Sequence, residues 1–251
     1  MSTIDFNCDL GERLGVHNID TDEALLAFVS SCNIACGFHG GDPLVISLTI
    51  KEAMRQGVRM GAHPSYPDLQ GFGRRSMQFS SQEMVAFVLY QVAALKGMVQ
   101  AYGGELAHVK PHGALYNDAA CDEKIAASIY EAVTSIDHKL RIFGLPNSVH
   151  EYVSNKMGLQ FVPEGFADRR YDHGGQLVSR DIAGSVLSDP KEVIDQVLRL
   201  IRREPIITSS HTQIQLEVET ICFHGDHSNS LEILSRVIMA VSAEGYNIGV
   251  A

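Results

Sequence analysis

Cysteine is scarce in this sequence, tryptophan is absent, and no cysteine pair has the spacing of a structural motif. The 251 residues include five cysteines, an odd number, and none has C-x-x-C spacing. Neither a disulfide framework nor a zinc ribbon is therefore indicated. Cys8, Cys32 and Cys36 lie among apolar residues with strand character, which predicts small buried side chains rather than nucleophiles.

Positive charge is also sparse. Twenty Lys and Arg stand against thirty Asp and Glu, which gives a formal net charge of −10. Adjacent arginines occur only as the pairs Arg74-Arg75, Arg169-Arg170 and Arg202-Arg203. Binding to a phosphate backbone or an anionic bilayer needs a clustered basic face. We therefore expect no nucleic-acid partner and no membrane partner of this kind.

Targeting and membrane signals are not evident in the sequence. The N-terminus M-S-T-I-D-F-N-C-D lacks a basic region followed by an apolar one, and no apolar run has the length expected of a membrane span. These features predict a cytoplasmic protein.

Motifs for covalent catalysis and for nucleotide binding are missing as well. The sequence has no G-x-S-x-G elbow, no P-loop and no G-x-G-x-x-G opening a helix. The loop Gly71-Phe72-Gly73-Arg74-Arg75 offers backbone amides and guanidinium groups that could hold a carboxylate or phosphate. An exposed loop with salt-bridged arginines explains this loop equally well.

What the sequence does contain is an alternation of apolar strands and helical patterns. Strands are predicted at Ile4–Cys8, Ser31–Cys36, Val58–Ala62, the start of Glu105–Asn117, Leu140–Leu145, Leu159–Pro163 and Thr220–Phe223, with a possible extra antiparallel strand at Ile214–Val218. Such alternation indicates a parallel sheet, either doubly wound or closed into a barrel. Because polar residues follow nearly every strand, we predict one (β/α) barrel domain of about seven strands over residues 1–251.

Several helix starts carry capping signals. Asp42-Pro43 and Asp189-Pro190 have the form of an N-cap followed by proline at the first helical position. Ser80-x-x-Glu83 and Asp20-x-x-Glu23 have the form of capping boxes. After Ser80, a stripe of Met84, Phe87, Val88, Val92, Leu95 and Val99 predicts a long helix with one buried face.

Polar residues at the predicted strand ends form the candidate site. They are Asn7, Asp9 and Glu12; Asn33, His39 and Asp42; His63, Ser65, Tyr66 and Asp68; Lys110, His112 and Asn117; Glu164, Asp168 and Arg169; His224 and Asp226. For Asp42 helix capping is the better explanation. The others are expected to meet at one rim of the barrel, where such enzymes have their active sites.

Lys110 is the most informative of these residues, because it stands between Val109 and Pro111 where a strand ends. A lysine there is either a base, if burial keeps it neutral, or a clamp for an oxyanion or phosphate, if it is charged. A lysine whose stem lies along apolar surface with its charge in water is the alternative.

A metal site is not assigned. His108 and His112 have the i, i+4 spacing of a helical zinc pair, but four extended residues span ~13 Å and Pro111 prevents a helix interior. His224-x-x-His227 is a weak two-ligand signal. A mononuclear metal held by Asp9, His39 or His63 stays open as an alternative.

Longer motifs resemble a known family. They are N-x-D-L-G-E at 7–12, S-S-x-N-I-A-C-G-F-H-x-G-D-P at 30–43, G-A-H-P-S-Y-P-D-x-x-G-F-G-R-R at 61–75, H-V-K-P-H-G-A-L-Y-N at 108–117, E-x-F-A-D-R-x-Y at 164–171 and T-I-C-x-H-G-D at 220–226. In this order, over nearly the whole chain, they resemble the lactam-utilisation family, which comprises the A subunits of 5-oxoprolinase. Leu177-Val178-Ser179-Arg180 departs from the family pattern by a serine in place of proline.

The resemblance implies a barrel akin to polysaccharide deacetylases. It also implies ATP-dependent opening of 5-oxo-L-proline (pyroglutamate) to L-glutamate, with ATP and Mg²⁺ as requirements of a complex with subunits B and C. Two alternatives stay open: a metal-dependent amide or N-acetyl hydrolase that needs no ATP, and a non-catalytic subunit that binds the substrate.

Site roles follow from that chemistry as hypotheses. Proton transfer and charge stabilisation are assigned to Asp9, His63, Lys110 and His112. Contacts with the lactam or with anionic groups are assigned to Asn7, Asn33, His39, Tyr66, Arg74, Arg75, Glu164, His224 and Asp226.

Overall fold

Ten strands and eight helices occur in the part of the chain that the computed structural model describes, residues 2–15, 20–225 and 229–250. The strands are β1 (Ser2–Leu10), β2 (Ser31–Ala35), β3 (Arg59–His63), β4 (Leu106–Val109), β5 (Arg141–Gly144), β6 (Phe161–Phe166), β7 (Ile206–Ile207), β8 (Gln213–Ile214), β9 (Thr220–Cys222) and β10 (Tyr246–Ile248). The helices are α1 (Asp20–Leu26), α2 (Pro43–Gln56), α3 (Ser81–Ala101), α4 (Gly113–Ala119), α5 (Glu123–Ile136), α6 (Val149–Lys156), α7 (Pro190–Arg202) and α8 (Ser230–Ala243).

Seven parallel strands close into a barrel. The order is β1-β2-β3-β4-β5-β6-β9, and β9 returns to pair with β1 through Asp5 opposite Thr220 and Asn7 opposite Cys222. Strand β10 adds to the beginning of β1 outside this ring. Because the carboxyl ends of parallel strands share one face, their following residues meet there. The predicted barrel of about seven strands is confirmed.

Some predicted boundaries were wrong. Strand β1 extends to Leu10, so Asp9 lies within the strand rather than after it. Only Gln213–Ile214 of the possible strand at 214–218 is extended, and it pairs with β7 in a small antiparallel hairpin. The short helix α4 directly after Lys110-Pro111-His112 and the last strand β10 were not predicted.

The helix caps match the sequence signals. The side chain of Asp42 accepts hydrogen bonds from the backbone N–H groups of Leu44 and Val45, and Asp189 accepts one from Lys191. Ser80 and Glu83 form a reciprocal capping box. Each such cap satisfies orphan donors at a helix start, so α2, α3 and α7 begin where predicted. The side chain of Asp20 is outside the described part.

Helix α3 corrects one expectation. Its 21 residues are long and apolar enough to cross a bilayer by length and composition, so the expectation that no run reaches such a length was wrong. In this fold the predicted stripe of Met84, Val88, Val92, Leu95 and Val99 is buried, while Phe87 is partly buried. A long helix with one buried stripe also fits the core of a globular protein.

The barrel interior is polar at its centre. Asp5, Asn7, Asn33 and His108 are all buried, and Asp5 accepts hydrogen bonds from the hydroxyls of Ser30, Ser31 and Thr220. The apolar core lies instead between the strands and the surrounding helices. Buried polar groups need hydrogen-bond partners. These residues provide partners for one another inside the barrel, up to the rim that carries the site.

Candidate active site

The ammonium group of Lys110 lies at the centre of the rim. Strand β4 ends at Val109, and Lys110 Nζ lies 2.9 Å from Glu164 Oε1 and 3.0 Å from Asp9 Oδ1. It also donates to Asn7 Oδ1 at 3.3 Å and to Cys222 Sγ at 3.0 Å. Burial alone would lower the pKa of Lys110, but the carboxylates of Asp9 and Glu164 outweigh it and hold that pKa well above its usual value. The geometry therefore favours the charged clamp over the neutral base.

The residues beneath Lys110 hold it in place. Asn7 Nδ2 donates to Glu164 Oε1 at 3.0 Å, and Asn33 Nδ2 donates to Asn7 Oδ1 at 2.7 Å and to Asp9 Oδ1 at 2.8 Å. Asn7, Asn33 and Glu164 are fully buried and do not line the cavity above. Their predicted role as substrate contacts is therefore corrected: they position Lys110 and Asp9.

His108 completes this lower layer. Its Nε2 lies 2.7 Å from Asn33 Oδ1, and burial together with Lys110 holds its pKa well below the usual range. A neutral His108 donates Nε2–H to the amide oxygen and so fixes which way the Asn33 side chain points. Its ring stacks on Phe143 at 3.9 Å, away from His112, so the two histidines do not chelate together, as predicted.

A cavity of about 490 Å³ opens above Lys110 at the carboxyl ends of the strands. The predicted site residues that line it are Asp9, Glu12, His63, Arg74, Lys110, His112, Asn117, Arg169 and His224. A site of this size suits a small-molecule substrate. Asp226 lies outside the described residues.

Two predicted substrate contacts lie elsewhere. Tyr66 is fully buried, and its hydroxyl donates to Asp118 Oδ2 at 2.9 Å. The Arg75 guanidinium pairs with Asp68, at the turn that precedes it. Neither residue lines the cavity, because each side chain is directed into loop structure, so both assignments are corrected.

Three imidazoles and a carboxylate meet on one side of the cavity. Glu12 Oε1 lies 3.0 Å from His39 Nε2 and 3.2 Å from His112 Nδ1, and 3.9 Å from His63 Nε2. The His39 and His112 rings are stacked, with centroids 3.7 Å apart. His39 is buried behind His112, so it contacts Glu12 rather than the cavity.

The pKa shifts in this group follow from burial and from its carboxylates. Burial lowers the pKa of His39 to about 4 and also lowers the pKa of His112. Burial acts in the same direction on His63, but the Asp9 carboxylate 3.3 Å away outweighs it and raises that pKa. For Asp9 the opposing charges of His63 and Lys110 outweigh desolvation, so its pKa lies well below the usual value and it is a carboxylate at neutral pH.

A second carboxylate and histidine pair follows β6 and β9: His224 lines the cavity, and Asp168 contacts its ring without lining the cavity. His224 Nδ1 lies 2.8 and 3.0 Å from the two oxygens of Asp168. The Asp168 carboxylate can only accept, so Nδ1 carries a proton, and in the neutral ring Nε2, 3.9 Å from Asp9 Oδ2, is the acceptor. Desolvation of Asp168 is outweighed by His224, and the pKa of Asp168 is lowered. This arrangement is that of an oriented general base.

Four arginines also line the cavity. They are Arg13, Arg74, Arg169 and Arg180. Arg169 is 5% exposed, and burial together with the neighbouring charge of Arg180 lowers its pKa to about 10. Its Nη2 donates to the Val178 carbonyl, whereas its Nε has no partner among the described residues. A bound anion would offset the repulsion between Arg169 and Arg180 and would accept a hydrogen bond from Arg169 Nε.

Comparison with known proteins identifies the family of this chain. The LamB/YcsF family matches residues 4–251. The chain belongs to that family. It is 44% identical over 237 residues to the A subunit of 5-oxoprolinase from Campylobacter jejuni strain 81-176, covering 94% of this chain and 93% of that one. It is also 44% identical to the corresponding 5-oxoprolinase chain of Geobacillus kaustophilus, covering 99% of this chain and 96% of that one.

A solved structure supports the same membership of the LamB/YcsF family. The lactam utilization protein from Thermus thermophilus superposes with a TM-score of 0.92 at 38% identity, covering 99% of this chain and all of that one. At such similarity the closed barrel is common to both proteins. The resemblance read from the motifs is therefore confirmed.

Sequence reasoning named Glu12, Asp168 and Arg169 as strand-end residues but gave them no role. Each stands in a long motif, N-x-D-L-G-E or E-x-F-A-D-R-x-Y, and this was the available signal. Arg180 and Cys222 were not recognised as site residues. Cys222 Sγ lies beside the Lys110 ammonium, but burial raises the pKa of its thiol well above the usual value, so it is not a thiolate.

Proposed function

We propose that this chain is the A subunit of an ATP-dependent 5-oxoprolinase, which opens the lactam of 5-oxo-L-proline to L-glutamate. The observation that carries the proposal is the Lys110 ammonium, held by Asp9 and Glu164 on the floor of a cavity of about 490 Å³, in a chain so similar to relatives with that name. A hydrolase role is the broader statement that this similarity supports. ATP dependence and the substrate are the finer proposal.

The proposed reaction has three steps. The γ-phosphoryl group passes from ATP to the lactam oxygen and ADP leaves. Water then adds to the lactam carbon and loses a proton to a base, and the carbon–nitrogen bond breaks, with its electron pair and a proton going to nitrogen. This leaves a γ-glutamyl phosphate, which a second water hydrolyses to glutamate and phosphate. The sum is 5-oxoproline, ATP and two waters giving glutamate, ADP and phosphate.

The described side chains suit these steps. An unactivated amide is a poor electrophile, and a fixed ammonium such as Lys110 stabilises negative charge on the oxygen or on the phosphoryl group. His224, oriented by Asp168, has its acceptor Nε2 free to take a proton from water. The proton that His224 takes from water is then available for the departing nitrogen.

Anionic groups of the substrates have a place among the arginines. The carboxylate of 5-oxoproline is matched by Arg169 and Arg180, whose mutual repulsion a carboxylate would offset. Arg74, whose guanidinium lies 5.0 Å over the Phe72 ring at the cavity wall, is proposed to face the transferred phosphoryl group. ATP with Mg²⁺ is taken to be bound by the assembled complex with subunits B and C.

The test is turnover by the purified chain, alone and with candidate B and C subunits. We expect the complex to form glutamate and ADP in equal amounts from 5-oxoproline and ATP, and to form no glutamate when ATP is omitted. Glutamate formation without nucleotide would contradict the ATP-coupled assignment and favour a simple amide hydrolase. A complex that hydrolyses neither substrate would contradict the assignment altogether.

A further inference from the structure

Two histidines in the cavity wall face each other through the wrong atoms for a hydrogen bond between neutral rings. His63 Nδ1 lies 2.6 Å from the Lys110 carbonyl, and His112 Nε2 lies 2.9 Å from the Phe72 carbonyl. Carbonyl oxygens only accept, so each of these nitrogens carries its ring's proton. In neutral rings the other two nitrogens, His63 Nε2 and His112 Nδ1, would therefore both present lone pairs, 3.0 Å apart, although Asp9 Oδ2 also lies 3.3 Å from His63 Nε2.

A third acceptor lies against the same pair. Glu12 Oε1 is 3.2 Å from His112 Nδ1 and 3.9 Å from His63 Nε2, and His39 Nε2 approaches that same oxygen at 3.0 Å. One ligand atom from each of the four residues lies within 4.8 Å of all the others. Such a convergence of lone pairs is stable only around a positive charge, which is either a proton or a metal ion.

We propose that Glu12, His63 and His112 bind a single divalent transition-metal ion of the Zn²⁺ class. The His39 ring is stacked parallel to the His112 ring, so one ion cannot lie in the plane of both, and His39 instead donates its Nε2–H to Glu12. Metal–nitrogen and metal–oxygen bonds of about 2.0–2.1 Å in a tetrahedral site place neighbouring ligand atoms ~3.3 Å apart. His112 Nδ1 lies 3.0 Å from His63 Nε2 and 3.2 Å from Glu12 Oε1, close to that edge length, and the third separation, from Glu12 Oε1 to His63 Nε2, is 3.9 Å. Two imidazoles with one carboxylate favour zinc-like ions over Mg²⁺ or Ca²⁺, which prefer oxygen ligands.

The surroundings fit this role. His63 and His112 each donate the ring's second N–H to a backbone carbonyl, the outer partner that orients metal-ligating histidines. Two glycines let the loops close around the cluster: a Cβ on Gly40 would lie 2.2 Å from the Glu12 carbonyl oxygen, and one on Gly73 would lie 2.8 Å from the His112 ring. Glu12, His63 and His112 line the cavity, so an ion held there would be reachable by a ligand in it.

The test counts metal on the full-length chain, without any activity measurement. The protein is stripped with a chelator, dialysed, and titrated separately with Zn²⁺, Co²⁺ and Mg²⁺, with bound metal measured by atomic emission. We expect about one equivalent of Zn²⁺, visible d–d bands of low-coordinate Co²⁺, and far weaker Mg²⁺ binding. Failure to retain Zn²⁺ would overturn the proposal and leave a proton between the rings.

Variants locate the site. His63→Ala with His112→Ala is expected to lower Zn²⁺ affinity by at least about 100-fold, since loss of an outer partner alone costs 10- to 100-fold. His138→Ala is the matched control, because His138 is exposed and remote from the cluster, and it should bind Zn²⁺ as the wild type does. Equal affinity in the double variant would place the ion elsewhere and overturn the assignment.

A measurement that needs no ligand variant guards against an unfolded variant. Zn²⁺ that binds only the folded state raises the unfolding temperature with its concentration. We expect a progressive rise for the wild type and for His138→Ala, whereas a wild type whose unfolding temperature ignores Zn²⁺ would contradict the proposal. Because these readouts need neither ATP nor 5-oxoproline, they are independent of the proposed reaction.

Discussion

Lys110 Nζ lies 2.9 Å from Glu164 Oε1, and both side chains are almost completely removed from solvent. The two residues come from β6 and from the end of β4, on opposite sides of β5. Asp9 supplies a second carboxylate at 3.0 Å. This buried group of opposite charges sets the floor of the cavity, and it is a structural element as well as a candidate catalytic one.

The first prediction concerns stability. Lys110→Met should lower the free energy of unfolding by ~3–5 kcal/mol, because it leaves the fully buried Glu164 carboxylate without its ammonium. The double variant Lys110→Met with Glu164→Gln should recover most of that loss. Urea unfolding at neutral pH measures both. Lys96→Met is the control, since the Lys96–Asp137 pair is nearer the surface and its loss should cost about 1 kcal/mol or less.

A single Lys110→Met variant as stable as the wild type would show that the ammonium does not compensate the buried carboxylates. Because the double variant is expected to stay folded, a loss of its activity reports on chemistry rather than on unfolding.

The second prediction concerns Asp168. In Asp168→Asn the new amide can donate to His224 Nδ1, which places the ring proton on Nε2, towards the cavity. We expect kcat of the assembled complex to fall by ~10²–10⁴ while KM changes only a few-fold. Asp195→Asn, at an exposed pair with Arg199, is the control and should keep full kcat. Unchanged turnover in Asp168→Asn would remove His224 as the general base.

A third prediction compares two glycines. At Gly61 a Cβ would lie 2.0 Å from the buried His108 ring, whereas at Gly97, inside α3, a Cβ meets nothing within 4 Å. Gly61→Ala should therefore destabilise strongly, by more than ~3 kcal/mol, and Gly97→Ala should stabilise by ~0.5–1 kcal/mol. Thermal and urea unfolding of the two variants test the pair. Equal stabilities would mean that His108 can move away from β3 at little cost.

The fourth prediction concerns acid stability away from the cavity. Burial lowers the pKa of His150 to about 4, and the ring lies between the Tyr130 hydroxyl and the Tyr116 carbonyl. The ordinary value is about 6.5, so between pH 6.5 and 4 the unfolded chain binds a proton that the folded chain does not, and stability falls as the pH falls. Above pH 6.5 the ring is neutral in both states and has no such effect.

His150→Gln should make the free energy of unfolding depend less steeply on pH in this acid range. Its free energy of unfolding should fall by about 2 kcal/mol less than that of the wild type between pH 6.5 and 4.5, although the variant starts from lower stability. Urea titrations at several pH values give the two slopes. Parallel curves for variant and wild type would show that His150 is protonated in the folded state.

Much of the fold follows from the sequence, because hydrophobic periodicity and the residues that begin and end helices and strands are local signals. The caps at Asp42, Ser80 and Asp189 and the seven barrel strands were predictable from such patterns. Strand β10 was not, since its three residues follow Gly245 without a strand pattern and depend on pairing with the start of β1.

The residues of the site were predictable from their places at strand ends. Which of them lie below Lys110 and which line the cavity was not predictable. Asn7 and Asp9 are two residues apart on one strand, so both face the barrel interior, yet Asn7 lies below the ammonium and Asp9 beside the cavity. That depth depends on barrel closure. Tyr66 and Arg75 were misassigned because loop motifs do not indicate which side chains turn inwards, and their partners Asp118 and Asp68 decide it.

Lys110 is proposed to act in ATP-coupled opening of 5-oxoproline, and glutamate formation by the assembled complex tests that role. The measurement compares wild type with the folded double variant Lys110→Met and Glu164→Gln, at saturating ATP and 5-oxoproline. We predict a fall in kcat of at least ~10³-fold, as expected for loss of a preorganised charge. Full ATP-coupled glutamate formation by that variant would contradict the account.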